Sequence, residues 1–476
     1  MARRNGSSTG AAGGVTGPVY VAAIGGSPAA IGGRWRRMTR MLRPSMVAAA
    51  MTFAIVALIL PVSTPMVRAA SSLRLDATYN ASLKLTWVSR AIYVDSTATI
   101  SNTSGASIDQ IEFNTIAAKL GRIRLQPVTV DGASVNATVS DQTVVVPLGH
   151  ALSNGARTVV RIRFGATLRS GLAASDWLFT KANGVMDLYR WLPWVSRKIA
   201  FDRPNHGDPF VTPSSSLVRV RITTDRKLVL ATTGDRVAVS SNGLSQTFVA
   251  RNVRDFTVTA ATDYRTTSRM VSGTRVRVWY RPGSAGAAML DAAASGFAKL
   301  RSRLGPYPYP VFKVVESAGG YGMESPALIW IPHGVARSSL RYLTAHETAH
   351  QWFYGLVGND QAAQPFADEA AADFATRYVL GMRRASRCAR SSLDRTIYQY
   401  TAACYYETVY IQGGNLLDDV RRRMGSTAFW TALRGYIAAN RYGLAGTVSL
   451  LDALDAATPL DLRATMFRSR FPRLMS

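Results

Sequence analysis

The chain has 476 residues, of which 47% are hydrophobic, a formal net charge of +27 and two cysteines. That length and apolar content suffice for two or three domains with substantial cores, and exclude a fibrous or wholly disordered protein. The basic excess is scattered arginine with no long run and no nucleic-acid motif beside it, so it reads as a solvated basic surface with no nucleic-acid partner.

Residues 1–33 are rich in Gly, Ala and Ser and read as low-complexity sequence. A basic stretch follows from Arg34 to Arg43, then an apolar run from Met46 to Leu60, broken at Pro61 and followed by small residues up to Ala70. This order is that of a secretory signal peptide, which predicts an exported protein, extracellular or on the outer face of the membrane. The alternative is an uncleaved membrane anchor through residues 46–60, although a span needs about 20 apolar residues.

Residues 71–270 alternate apolar and polar side chains, as in Leu83–Val88, Thr158–Phe164 and Val218–Ile222. Asp131-Gly132 and Asn154-Gly155 are turn signals between such runs. The expectation is an antiparallel β-sheet domain, with the run Thr274–Tyr280 at or past its boundary. The aromatic cluster from Tyr189 to Trp194 reads first as a core or interdomain plug, and second as a substrate-facing wall.

From residue 271 onward the pattern changes. Apolar residues recur at helical spacing from Ala287 to Leu304, and Gly305-Pro306 stops that helix. Val311–Val315 reads as a strand. Helices are expected over Tyr342–Tyr354, Asp368–Met382, Gly414–Met424 and Thr427–Ala439. The fold class is therefore α+β: a leader over 1–70, a β domain over 71–270 and a mostly helical domain over 271–476. Cys388 and Cys404 form a disulfide if the chain meets oxidising conditions, or remain two buried thiols.

The segment His346-Glu347-Thr348-Ala349-His350 places two histidines four apart. On a helix they share one face, so both imidazoles reach one ion. A catalytic zinc typically takes three protein ligands and leaves a fourth position for water. Glu347, beside the first ligand, is then placed to take the proton of that water. Glu369 supplies the third ligand; the alternative for Asp368, Glu369 and Asp373 is charge favoured at a helix start. Asp373, one turn beyond Glu369, is expected to accept a hydrogen bond from the far nitrogen of a ligand histidine.

These residues resemble the M1 family of zinc aminopeptidases, within the gluzincin metallopeptidases. The family pattern is H-E-x-x-H, eighteen residues, then Glu, and residues 351–368 separate His350 from Glu369 here. The family's Gly-x-Met-Glu-Asn stretch is similar to Gly322-Met323-Glu324-Ser325, with Tyr321 and Ser325 as departures. Its catalytic Tyr-x-Lys-Gly is similar to Tyr410-Ile411-Gln412-Gly413, with Gln412 in place of Lys. Tyr405 and Tyr406 offer another register.

The resemblance implies a thermolysin-like catalytic domain with one zinc ion and a peptide substrate carrying a free N-terminus. It implies that Glu324 binds the α-amine, with Gly322 and Met323 offering backbone to the substrate, and that Tyr410 donates to the oxyanion. It also implies a cleft without the family's large helical C-terminal domain. The other readings are a zinc endopeptidase with the same site and a catalytically silent secreted binding module.

Overall fold

The computed structural model describes residues 72–475. The leader and anchor expectations lie outside the described residues. No helix among the described residues is long and apolar enough to cross a membrane.

The β-rich half is built on a nine-stranded sheet and two four-stranded sheets. Leu75–Leu85 runs antiparallel to Ala91–Asn102, which runs antiparallel to Arg157–Thr167. Burial alternates along Leu75–Leu85, with one face in the core and one in solvent, as the period-two sequence requires. One pairing departs from the antiparallel expectation: Leu75–Leu85 pairs in parallel with Val218–Thr224. A long excursion of chain separates these strands, and only such a crossover lets two strands run the same way.

The later half is not helices alone. Five strands form a mixed sheet in the order Arg265–Val271, Thr274–Tyr280, Val311–Ser317, Leu328–Pro332, Met323–Ser325. Val311–Ser317 and Leu328–Pro332 are buried along nearly their whole length, because the sheet is covered on both faces. Val315, Leu328 and Trp330 join the core of the β-rich half, whereas Phe312, Val314, Ile329 and Ile331 join the core of the helical half. Alternation along the strands thus divides one sheet between two cores, and continuous apolar runs concealed it from sequence periodicity. The strand Met323–Ser325 forms the sheet's edge, paired among the described residues only with Leu328–Pro332.

Helices follow at Gly286–Leu304, Arg337–Ala349, Ala371–Leu380, Gly413–Met424 and Ser426–Ala439. The ligand-bearing helix starts earlier than the sequence suggests and stops before Tyr354. Tyr354 adopts φ 107°, an unfavourable backbone for a non-glycine residue. Its hydroxyl is held by Arg190 at 2.8 Å and by Asp255, so tertiary bonds overrule local propensity. The segment Tyr189–Trp194 is buried core, as the first of its two readings had it. Cys388 and Cys404 are joined in a disulfide.

Candidate metal centre and peptide-binding cleft

His346 and His350 stand at the end of the helix Arg337–Ala349, both buried. Glu369 comes from a different turn, Phe366–Ala370, which is π-helical and runs into Ala371–Leu380. The three ligating atoms form a small triangle. His346 Nε2 and His350 Nε2 are 3.2 Å apart, and each lies 3.3 Å from Glu369 Oε2. A tetrahedron with bonds of about 2.0–2.1 Å has edges of about 3.3 Å, so the triangle has the size of one face of a zinc site. Glu369 Oε2 is buried and accepts no hydrogen bond among the described residues.

His350 Nδ1 faces Asp368 Oδ1 at 2.7 Å and the Phe353 carbonyl at 3.0 Å. Both are acceptors, so Nδ1 carries the proton and Nε2 is left to face Glu369 and His346. The expectation that Asp373 plays this part is corrected: Asp368 does. Asp373 instead receives Arg377 Nε at 2.6 Å and the Tyr342 hydroxyl. An unbroken α-helical pitch would put Asp373 on the face of Glu369, but the turn Phe366–Ala370 is π-helical, and Asp368 is the carboxylate that meets the histidine.

The electrostatics call for a cation. Burial pushes the Glu347 carboxyl up to about 7, with Glu369 and Asp208 adding to the rise against His346 and His350. Burial also holds Glu324 well above the ordinary carboxyl range, and Asp208, Asp368 and Glu347 add to that. For Glu369 burial acts upward, but His350 and the close approach of both imidazoles outweigh it and hold the group low. Burial alone would strip His350 of its extra proton; Asp368 and Glu369 more than offset this and raise its pKa. A buried cluster of carboxylates around two imidazoles is stabilised by a positive ion.

Glu347 sits one residue past His346, and the backbone of Gly322 approaches it closely: a β-carbon on Gly322 would fall 2.2 Å from Glu347 Oε1. Glu324 is buried on the edge strand. Ligating atoms of Glu324, Glu347 and His350 all lie within 4.8 Å of one another, so the metal triad and the edge strand meet at His350. The Met323 side chain is packed in the core, which leaves its backbone as what it offers the cleft. Ser325 turns away, bonded to Asp255 and to Thr233 at 3.0 Å. Gln351, next to His350, donates to the Ser325 carbonyl at 2.9 Å and accepts from Ala327 N at 2.8 Å, tying the edge strand to the ligand helix.

Tyr410 is half-buried, stacked on the His346 ring with centroids 5.5 Å apart. Burial raises its hydroxyl pKa, with Glu369 adding to the effect. It sits on a second π turn, Glu407–Gln412. That turn packs on the first through Gly413, where a β-carbon would meet the Ala370 methyl at 2.6 Å. Gln412 points elsewhere: its amide serves Ser386 and the carbonyls of Cys388 and Ala389, and accepts from Arg470. Tyr405 is buried beside Tyr410 with ring centroids 6.0 Å apart.

Sequence reasoning missed four groups at the site. Asp368 was visible as a neighbour of Glu369, but read only as helix-start charge. Asp208 reaches in from the β-rich half, paired with Arg203 at 3.0 Å. Burial pushes it up to about 6, Arg203 opposing and Glu369 and Asp368 adding. Gln361 donates to Glu324 and Asp368, and Arg190 lies behind it. No local pattern marks Asp208, Gln361 or Arg190, because what brings them to the site lies far along the chain: Glu369 and Asp368 for Asp208, Glu324 for Gln361 and Tyr354 for Arg190.

No protein-family model matches the sequence. Among solved structures, a mutant M1 zinc metallopeptidase from Deinococcus radiodurans superposes with a TM-score of 0.67 at 19% identity, covering 84% of this chain and 95% of that one. The same mutant bound to a Tyr-Ser-Ala substrate gives 0.67 at 19%, covering 84% and 94%. A two-domain M1 zinc metallopeptidase mutant bound to L-arginine gives 0.64 at 19%, covering 80% and 91%. The chain thus has the α+β fold of the M1 zinc metallopeptidases.

Proposed function

We propose that the protein is an exported zinc aminopeptidase, with a β domain over 71–270 and a thermolysin-like catalytic domain over 271–476. His346, His350 and Glu369 hold one zinc ion. The observation that carries the aminopeptidase reading is the position of Glu324, within 4.8 Å of both Glu347 and His350. Consecutive Cα atoms are about 3.8 Å apart, so an α-ammonium anchored on Glu324 leaves room for a single residue before the scissile carbonyl.

Bound zinc supplies Lewis acidity at the carbonyl oxygen and makes water a better nucleophile near neutral pH. Glu347 removes the proton of the attacking water at its carboxylate and delivers it to the leaving amine. The Tyr410 hydroxyl donates to the oxygen that gains charge in the tetrahedral transition state. The outer side of the edge strand Met323–Ser325, which pairs with no strand among the described residues, offers backbone groups to an extended peptide, which extends the sheet by one strand. The peptide seen on one structural neighbour supports this substrate class. The leader and the Cys388–Cys404 disulfide support export.

A panel of aminoacyl fluorogenic substrates tests the reading. Free-amine substrates should be cut, a chelator should stop turnover and zinc should restore it. Glu347→Gln should remove activity while metal stays bound. Equal cutting of N-acetylated substrates would make the protein an endopeptidase, and absence of stoichiometric zinc would overturn the enzyme reading.

A further inference from the structure

Gln361 lies on the connection between the ligand helix and the turn that carries Glu369, and its side chain is buried. Its single amide nitrogen donates to two carboxylates: Glu324 Oε1 at 2.9 Å and Asp368 Oδ2 at 2.8 Å. Asp368 uses its other oxygen to receive His350 Nδ1 at 2.7 Å. The chain Glu324, Gln361, Asp368, His350 therefore joins the amine-facing carboxylate to a metal ligand.

The amide has one favourable orientation. Gln361 Oε1 accepts from Arg190 Nη2 at 3.4 Å. Flipping the amide would aim its carbonyl at two carboxylates and its NH2 at a guanidinium, which loses all three contacts. Arg190 is fixed in turn, with its guanidinium 4.2 Å from the Phe210 ring centroid and a 2.8 Å bond to the Tyr354 hydroxyl. Asp368 adds to the cost of charge on the buried Glu324. Two amide hydrogens, one to each, keep the carboxylates apart and satisfied, a task no apolar side chain performs.

We propose that Gln361 is a positioning residue for recognition of the substrate's α-amine, holding the Glu324 carboxylate in the orientation that receives an ammonium. This rests on the aminopeptidase reading. The preference for a free N-terminus is then set by Glu324 and Gln361 together, and Gln361 touches neither substrate nor metal.

The test compares the unaltered chain with Gln361→Met and Gln361→Leu, each full-length and zinc-loaded, with Met the more adaptable filler should Leu fail to fold. Rates are measured on one aminoacyl substrate and its N-acetyl form. Calorimetry then gives the affinity for L-arginine and for N-acetyl-L-arginine with and without zinc. KM for the free-amine substrate should rise about ten- to hundredfold, the loss expected for one hydrogen bond to a charged group. The acetylated substrate should be unaffected, and L-arginine affinity should fall with and without zinc. A merely structural role would change both substrates alike. An unchanged free-to-acetyl ratio in a folded variant, against a clear preference in the unaltered chain, overturns this inference alone. No preference in the unaltered chain overturns the aminopeptidase reading and this inference with it.

Discussion

The backbone of Gly322 and the carboxylate of Glu347 are in contact, and a single added carbon on Gly322 would fall 2.2 Å from Glu347 Oε1. The strand that would receive the peptide and the base that would activate water therefore share one small space. Side-chain-free backbone at 322 is what lets the two coexist.

Gly322→Ala should for that reason act on turnover. The methyl displaces the Glu347 carboxylate, and misplacement of a catalytic group by about 1 Å costs about a hundredfold in rate. Zinc content should stay the same, since none of the three ligands is touched. Stoichiometric zinc with a kcat unchanged from the unaltered chain would show that Glu347 is not the base, or that it moves without consequence.

Asp368 and Asp373 should separate cleanly on substitution. Asp368 receives His350 Nδ1, so Asp368→Asn weakens the hold on that ring and should reduce zinc affinity about 10- to 100-fold. Asp373 receives Arg377, whose Nη2 reaches the Ile411 carbonyl at 3.3 Å on the turn that bears Tyr410. Asp373→Asn should lower kcat and leave zinc affinity alone. Competition with a chromogenic chelator, run beside steady-state kinetics, reads both. The reverse pattern would restore Asp373 as the partner of a ligand histidine.

The contrast between those two residues shows what the sequence carries and what it does not. H-E-x-x-H and the distance to Glu369 are local facts, and a helix converts them directly into geometry. Glu324 and Tyr410 lie far from the triad in sequence and were found only because short motifs surround them. Asp368 was lost because a π turn changes pitch without a sequence signal. Gln361 meets Glu324, Arg190 meets Tyr354 and Asp208 acts on Glu369 across long stretches of chain, and no periodicity encodes such contacts. The strands of the early half were legible wherever one face meets water. In the mixed sheet both faces are covered, the alternation disappears, and Leu328–Pro332 carries no period-two signal.

The disulfide joins cysteines 16 positions apart, and the loop between them carries Tyr400 and lies against the Tyr410 turn through Gln412. Cross-links over loops of this length stabilise by about 3 kcal/mol. The double change Cys388→Ser with Cys404→Ser should lower the unfolding temperature, and should lower kcat with little change in zinc affinity, since the ligands lie on other segments. Identical unfolding curves for the two proteins under oxidising conditions would mean that the cross-link contributes nothing to the fold.

Asp187 offers a stability test away from the metal. It is wholly buried and accepts Ala318 N just before the Gly319-Gly320 turn. Burial pushes its carboxyl up to about 8, against the hydrogen bonds from Ala318 and Thr259. Between an unfolded value near 3.8 and about 8, the folded protein holds a proton that the unfolded chain has released. Folded protein therefore binds more protons in this window, and the contribution of Asp187 to stability falls as pH rises through it. An amide stays neutral throughout and keeps the acceptor for Ala318. Asp187→Asn should thus gain unfolding temperature relative to the unaltered chain as pH increases from 4 to 8, with the difference levelling above that. Chemical or thermal unfolding across this range measures it, and a difference that does not change with pH would show that Asp187 ionises normally in the folded protein.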